Sequence, residues 1–411
     1  MKSIGWGTIY NMLKKIIFII SSIILGLSCE ENNNQNCDLY EGRGNLISYE
    51  LITEFTEGAF KILIEDYYGY DASQFEINNN VKVYRIVYES IDTDGTPTEL
   101  SGAIYVPQVS KETALPTLKT AHYTITKRDA VASISPNVSP QSILGSMQGY
   151  FSIYADGIGY GISYSQASYA NKQGIATAGV DLVRASKEFA CENDIKLNDQ
   201  LFTTGYSAGG YGTMAFHQMV EEKHSNEFTI TANAPLAGPY ALDQMAKRIF
   251  NDNIYAQPYY LGFALWGYML GTGDDDALNR WVNSNYREAI LTMYNGEYSG
   301  EEINNALNDT MSVLLNPKFV TDFLGDGEME FKQYLKDNSF IYGNWIPKAP
   351  IHFMHGADDE TVFHFLMKVG VDGLKDNGAT NIQSTSYPGD HGSAAGDCMI
   401  NSIEWFNTMK Q

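Results

Sequence analysis

The sequence predicts an α/β protein: a mostly parallel β-sheet flanked by helices, interrupted once by a helical insertion. Three observations predict it. Short segments rich in β-branched and aromatic residues alternate with segments of helical spacing. A serine between glycines, Ser207, stands between an apolar run and a helix-compatible run, which reads as strand, sharp turn and helix. Residues 241–345 are rich in aromatics and carry no strand pattern. A gap of that size between two core strands is too long for a loop in a compact domain.

Composition bounds the function. The chain has 411 residues, is 44% hydrophobic, and carries 49 acidic against 27 basic residues, a net charge of −22. That much apolar material forms a sizeable core and excludes disorder for most of the chain. The acidic balance lacks the positive footprint that a phosphate backbone requires, so nucleic acid is excluded as a partner.

The first segment, 1–28, reads as a secretory signal peptide. Lys14 and Lys15 precede the apolar run Ile16 to Leu27. Twelve residues are too few to span a hydrocarbon core of roughly 30 Å, which takes about 20. The run ends at Leu27-Ser28-Cys29, which resembles a bacterial lipoprotein processing site, so Cys29 is the expected lipidated N-terminus. Cleavage there removes Lys2, Lys14 and Lys15 and no acids, leaving 49 acidic against 24 basic, or −25. Residues 29–40, beginning EENNNQN after the cysteine, read as a polar tether. The expected location is the cell envelope, exported and held to a membrane by lipid at Cys29. Three further cysteines, Cys37, Cys191 and Cys398, match no zinc spacing. They are expected to be mostly free, with Cys191–Cys398 the pairing considered.

The catalytic domain is expected over 41–240 and 346–411. Val81 to Asp92 and Glu99 to Pro107 read as paired strands, with the acidic DTDGTP between them as a hairpin turn. Leu115 to Thr126 is a strand running into a loop, and Gly149 to Gly161 a buried strand ending in a glycine-rich turn. That turn lacks the spacing of a dinucleotide site. A helix spans about 171–193, on the spacing of Ile175, Val180, Leu182, Val183 and Ala190. After the LFTT strand and its turn come strands at Phe228 to Gly238, Pro350 to Val362 and Asn381 to Ser393, then a closing helix from about Ala394 to Met409. Residues 241–345 are expected to form a helical cap, with Tyr260 and Trp266 as gating residues.

The chemistry concentrates in Gly205-Tyr206-Ser207-Ala208-Gly209. A turn of this kind holds the serine in a strained conformation, and Gly205 and Gly209 leave room where side chains would collide. The hydroxyl needs a base, and the base an orienting carboxylate. In this architecture the chain order is Ser, acid, His. Of seven histidines, His391, in the loop after the last strand, fits that order. The acid follows the preceding strand, in HGADDETV, where Asp359 is the expected residue and Asp358 the alternative. The backbone N–H of Ala208 is one expected oxyanion donor. The other comes from His122-Tyr123-Thr124, at Tyr123, with Thr124 as runner-up.

These motifs resemble the α/β-hydrolases, and within them the secretory lipase and bacterial esterase group. The resembling segments are ADGIGYG, VDLVRASKEF, GYSAGGYGTMA, PLAGPYAL, LNPKF, HGADDETV and PGDHGS, spread from about Val81 to Phe406. The group carries His-Gly-Thr where this chain has His122-Tyr123-Thr124. The resemblance implies hydrolysis of carboxylic esters, on small-molecule, lipid or sugar esters, through an acyl-enzyme without metal or organic cofactor. Two other classes stand beside it. A peptidase of the prolyl-oligopeptidase type commonly carries a β-propeller, for which blades of about 40 to 45 residues leave no room ahead of Leu115. A non-enzymatic surface lipoprotein on this scaffold would need a broken triad.

Overall fold

The computed structural model describes Cys37 and residues 42–69, 71–167 and 169–411. The expected signal peptide, 1–28, and Cys29 lie outside the described residues.

Nine strands form one sheet in the order β1-β2-β3-β5-β4-β6-β7-β8-β9. They are β1 (Leu46–Phe55), β2 (Val81–Ile91), β3 (Pro97–Pro107), β4 (Leu115–Ala121), β5 (Phe151–Ala155), β6 (Leu197–Tyr206), β7 (Ile230–Leu236), β8 (Ile351–Gly356) and β9 (Ile382–Tyr387). β1, β2, β3 and β5 pair antiparallel in succession. From β5 through β4, β6, β7 and β8 to β9 every pairing is parallel. The parallel part places the ends of β4, β6, β7, β8 and β9 along one carboxyl edge, where ligands bind in open α/β sheets.

Helices cover both faces. On one lie α3 (Lys172–Glu192), α4 (Ala208–Lys223) and α13 (Phe365–Asp376), packed through Val180, Leu182, Phe216 and Leu366. On the other lie α1 (Glu57–Ile62), α2 (Pro140–Met147) and α14 (Ala395–Asn407), packed through Phe60, Ile143, Leu144 and Phe406. Between β7 and β8 the chain forms α5 (Leu242–Asp252), α6 (Pro258–Thr272), α7 (Ala277–Trp281), α8 (Ser284–Met293), α9 (Gly300–Ala306), α10 (Met311–Leu314), α11 (Pro317–Leu324) and α12 (Met329–Asp337). This insertion has an aromatic core of its own. Trp281 stacks on Phe319, and Phe323 and Phe331 close around them. Its helix starts follow local rules: proline opens α6 and α11, and Ser299 and Glu302 form a capping box on α9.

Three readings of the sequence are corrected. The strand β1 was not anticipated; it lies at the sheet edge, where Ile47, Tyr49 and Leu51 stay exposed even though Tyr49 packs edge-on against Phe189 of α3. The strands before the carboxyl edge are shorter than the apolar runs suggest, because β4, β5, β8 and β9 stop where their loops begin. The cysteines pair differently. Cys37, within the expected tether, is bonded to Cys191 with Cα atoms 5.8 Å apart, and Cys398 is free and buried. The Cys191–Cys398 pairing fails because the sheet stands between them: Cys398 is on the buried side of α14, and Cys191 lies at the end of α3 on the opposite face. Arg43 reinforces the same junction through a salt bridge to the buried Asp181 of α3, at 2.9 Å.

Candidate active site

Ser207 joins β6 to α4 with φ 60° and ψ −121°, a left-handed conformation that a non-glycine residue adopts only when its surroundings impose it. Its N–H donates to Leu236 O of β7 at 2.8 Å, fastening the turn to the next strand. The flanking glycines are steric necessities. A Cβ on Gly205 would stand 2.6 Å from Gly209 O, and one on Gly209 would run into Ala121 O of β4. The turn therefore seats the hydroxyl at the carboxyl edge, at the N-terminus of a 16-residue helix.

His391 reaches Ser207 from the loop after β9. Its Nε2 lies 3.0 Å from Ser207 Oγ, and its Nδ1 lies 2.6 Å from Asp359 Oδ2. With a carboxylate as partner, Nδ1 carries the proton and Nε2 accepts from the serine hydroxyl. The loop is held by its own turn. Asp390 Oδ1 accepts from the N–H groups of Gly392 and Ser393. Tyr206, the residue before the serine, donates its hydroxyl to His391 O at 2.6 Å. The elbow thus positions the backbone of the histidine as well as the serine.

Asp359 and Asp358, adjacent in sequence, do different things. Asp359 is 3% exposed. Its Oδ1 accepts from the N–H groups of Thr361 and Val362, both at 2.9 Å. Its Oδ2 accepts from His391 and, at 3.0 Å, from His355 Nε2. Burial pushes this carboxyl up, but the hydrogen bonds and charges of His355 and His391 outweigh it and hold the pKa at about 2. Asp358 instead faces the loop of residue 389, accepting from Gly389 N at 3.3 Å while its own N–H donates to Gly389 O. His355, a residue of β8, has no place in the order Ser, acid, His and is added by the structure. Its signal was the four-residue step to Asp359, which brings the two side chains together where the strand ends.

The segment after β4 lies beside the serine. Tyr123 is not among the residues with positive φ, so this position has no need of the glycine its resembling group carries. Its side chain is exposed and borders a second cavity, shared with Asn137, Gln141, Tyr206 and Met399. Thr124 lines the cavity that holds Ser207 and Ala208. Among the described residues the N–H groups of Ala208 and Thr124 have no acceptor. His122, packed on Tyr160, donates Nδ1–H to Tyr123 O at 2.8 Å. Burial holds its pKa at about 4, so the ring is neutral.

The serine cavity is apolar and roofed by the insertion. Leu242, Met245 and Ile249 of α5, Tyr260 of α6 and Leu335 of α12 line it. Tyr260 thus lines the cavity. Trp266 does not: it is buried against Phe263 and Tyr294 inside the insertion. Among the described residues no group of three His, Cys, Asp or Glu side chains could hold a metal ion.

The sheet order, the antiparallel start, the elbow at the end of β6 and the helical insertion define the α/β-hydrolase fold. Solved structures agree. The rice-cell-wall-degrading esterase LipA of Xanthomonas oryzae superposes with TM-score 0.80 at 20% identity, over 90% of this chain and 100% of that one. A Legionella pneumophila protein gives 0.81 at 20% identity, over 89% and 98%. Candida antarctica lipase A gives 0.61 at 18% identity, over 85% and 78%. No family model and no curated protein matches the sequence.

Proposed function

We propose that this chain is a serine hydrolase that cleaves carboxylic esters through an acyl-enzyme. The observation that carries the reading is the continuous relay from Asp359 Oδ2 through His391 to Ser207 Oγ, at 2.6 Å and 3.0 Å. As Ser207 Oγ attacks the ester carbonyl, its proton passes to His391 Nε2, and ionised Asp359 stabilises the imidazolium. The carbonyl oxygen becomes an oxyanion, met by Ala208 N–H and by a donor from the Tyr123–Thr124 segment. The cavity lining favours Thr124 N–H over Tyr123 N–H for that second donor. Collapse expels the alcohol, which takes the proton from His391. Water, deprotonated by the same imidazole, then releases the acid. The helical insertion over 241–345 serves as the lid of the acyl pocket.

A fluorophosphonate should phosphonylate Ser207 with loss of fluoride, and Ser207→Ala should abolish labelling and lower kcat by several orders of magnitude. Labelling retained in that variant would refute the nucleophile. Turnover of p-nitrophenyl esters, and not of peptide anilides, separates an esterase from a peptidase. We further propose export as a lipoprotein anchored at Cys29. Lipid labelling that survives Cys29→Ala would exclude it. Among the described residues no helix is long and apolar enough to cross a membrane.

A further inference from the structure

Lys119 is a cation in a place built for an apolar side chain. It lies in β4, where Leu118 faces the core under α2 and α14, and Thr120 bonds to Ser142 of α2. Alternation along the strand turns Lys119 to the other face, beneath α3 and α4. There it is 2% exposed. Its Nζ sits over the ring of Phe216, 4.9 Å from the centroid. Gly179 of α3 leaves the space it occupies, since a Cβ there would stand 3.2 Å from Cε and 3.5 Å from Nζ. Among the described residues Lys119 has no hydrogen-bond or ion-pair partner. Burial alone pulls its pKa down to about 8. A buried ammonium without an anion is costly, and proteins rarely retain one without use.

Lys119 is also among the residues that line the cavity holding Ser207. In the sheet Lys119 pairs with Thr203, four positions before Ser207 on β6. At about 3.3 Å per residue the backbone of Lys119 lies roughly 13 Å below the nucleophile, the depth of a medium acyl chain. The walls between are apolar, among them Ile175 and Ala178 of α3.

We propose that the acyl pocket takes an acyl group with a carboxylate at its far end, a half-ester of a dicarboxylic acid, and that Lys119 is the residue that recognises it. This rests on the ester-hydrolase reading of Ser207 and names its substrate class. The methylenes fill the apolar shaft, and the carboxylate gives the ammonium the partner the protein lacks. A neutral chain of equal length leaves the ammonium unpaired and dry, so discrimination comes from the penalty on the wrong substrate as much as from the gain on the right one.

The test compares kcat/KM for the mono-p-nitrophenyl ester of suberic acid with that for p-nitrophenyl octanoate, in the wild type and in Lys119→Met. The half-ester-to-octanoate ratio should fall at least tenfold in the variant, roughly the loss of one desolvated charge pair. A merely structural lysine would change both substrates alike, and an unchanged ratio overturns the proposal. A second measurement keeps Lys119 in place. In Ser207→Ala protein, suberate should raise Tm more than octanoate does; octanoate matching or exceeding suberate overturns the proposal. If no ester turns over and no fluorophosphonate labels Ser207, the ester reading fails, while the Tm comparison still decides the role of Lys119.

Discussion

Two buried aspartates at the carboxyl edge show how differently one fold treats the same side chain. Asp156 directly follows β5, and Asp359 follows β8; they are 0% and 3% exposed. Burial raises Asp156 to about 6, because its partners, Ser101 Oγ at 2.6 Å and Ser133 N–H at 3.3 Å, offset only part of the desolvation. Asp359 suffers burial too, yet sits at about 2, because two imidazoles and two backbone N–H groups converge on it. Depth alone therefore does not set a carboxyl's charge; the donors around it do. Only the second aspartate is firmly ionised at neutral pH, as the proposed mechanism requires of the partner of a transient imidazolium. Asp156 holds a turn: the glycine at 161, with φ 60°, lies where a Cβ would strike both Ser101 Oγ and Asp156.

The comparison breaks most visibly at Asp359. Asp359→Asn keeps the shape but reverses the hydrogen-bond demand on His391 Nδ1, and should lower kcat by about 10³ to 10⁴ through the wrong tautomer. Asp358→Asn, which disturbs only the contact to Gly389, should stay within a few-fold. Assaying both on one ester at one pH checks the pair, and the reverse pattern would move the acid to Asp358. The charge also bears on stability. A folded pKa held below the ordinary 3.8 contributes stability that is complete above pH 4 and lost as pH falls toward 2. The shift corresponds to about 2 kcal/mol.

A smaller effect is expected at His355, which separates the two aspartates chemically. His355 Nε2–H is shared between Asp359 Oδ2 and Val362 O. His355→Gln should leave Asp359 ionised at neutral pH under its remaining donors, so kcat falls by no more than about tenfold. Its pKa should rise, and acid unfolding should begin at higher pH than in the wild type. Unaltered acid unfolding would show that His391 and the backbone N–H groups hold the charge without help.

The ease of reading these sites from sequence followed how local their causes are. The elbow is local: the collisions that exclude side chains at Gly205 and Gly209 are with the turn itself and the adjoining strand end. The order Ser207, Asp359, His391 follows from the order of strands along one edge. The choice of Asp359 over Asp358 rested on register, and in the structure Asp359 Oδ2 lies 2.6 Å from His391 Nδ1. The second donor on Asp359 was not legible, because His355 in isolation looks like any histidine in a core strand. Lys119 was read only as part of a strand, since nothing in LPTLKTAHYT reveals that it is buried beneath two helices and borders the serine's cavity. The Cys37–Cys191 bond joins residues 154 apart, and no local pattern tells that the chain before β1 returns to the end of α3. Trp266 and Tyr260 lie in the same helix, and only packing decides which of them lines the cavity and which sits in the insertion's own core.

The smallest effect on turnover is expected at Asp156, where the comparison is sharpest for stability. Asp156→Asn preserves one acceptor for Ser133 N–H, and the Ser101 hydroxyl can turn to accept from the new amide. Turnover should stay within a few-fold, because the residue faces Ser101 and Ser133 and does not touch the relay. Stability should change in a pH-dependent way with a sign opposite to that of Asp359. A folded pKa raised from 3.8 to about 6 means that the ionised form is penalised in the native state. The penalty is absent below pH 4, grows between 4 and 6, and is complete above 6. Two units correspond to about 3 kcal/mol, so the wild type should lose that much relative to Asp156→Asn as pH rises from 4 to 7. Urea midpoints of both proteins at intervals across that range measure it. A constant difference between them would mean that Asp156 titrates as an ordinary carboxyl, and that two hydroxyl and amide donors suffice where Asp359 has two imidazoles.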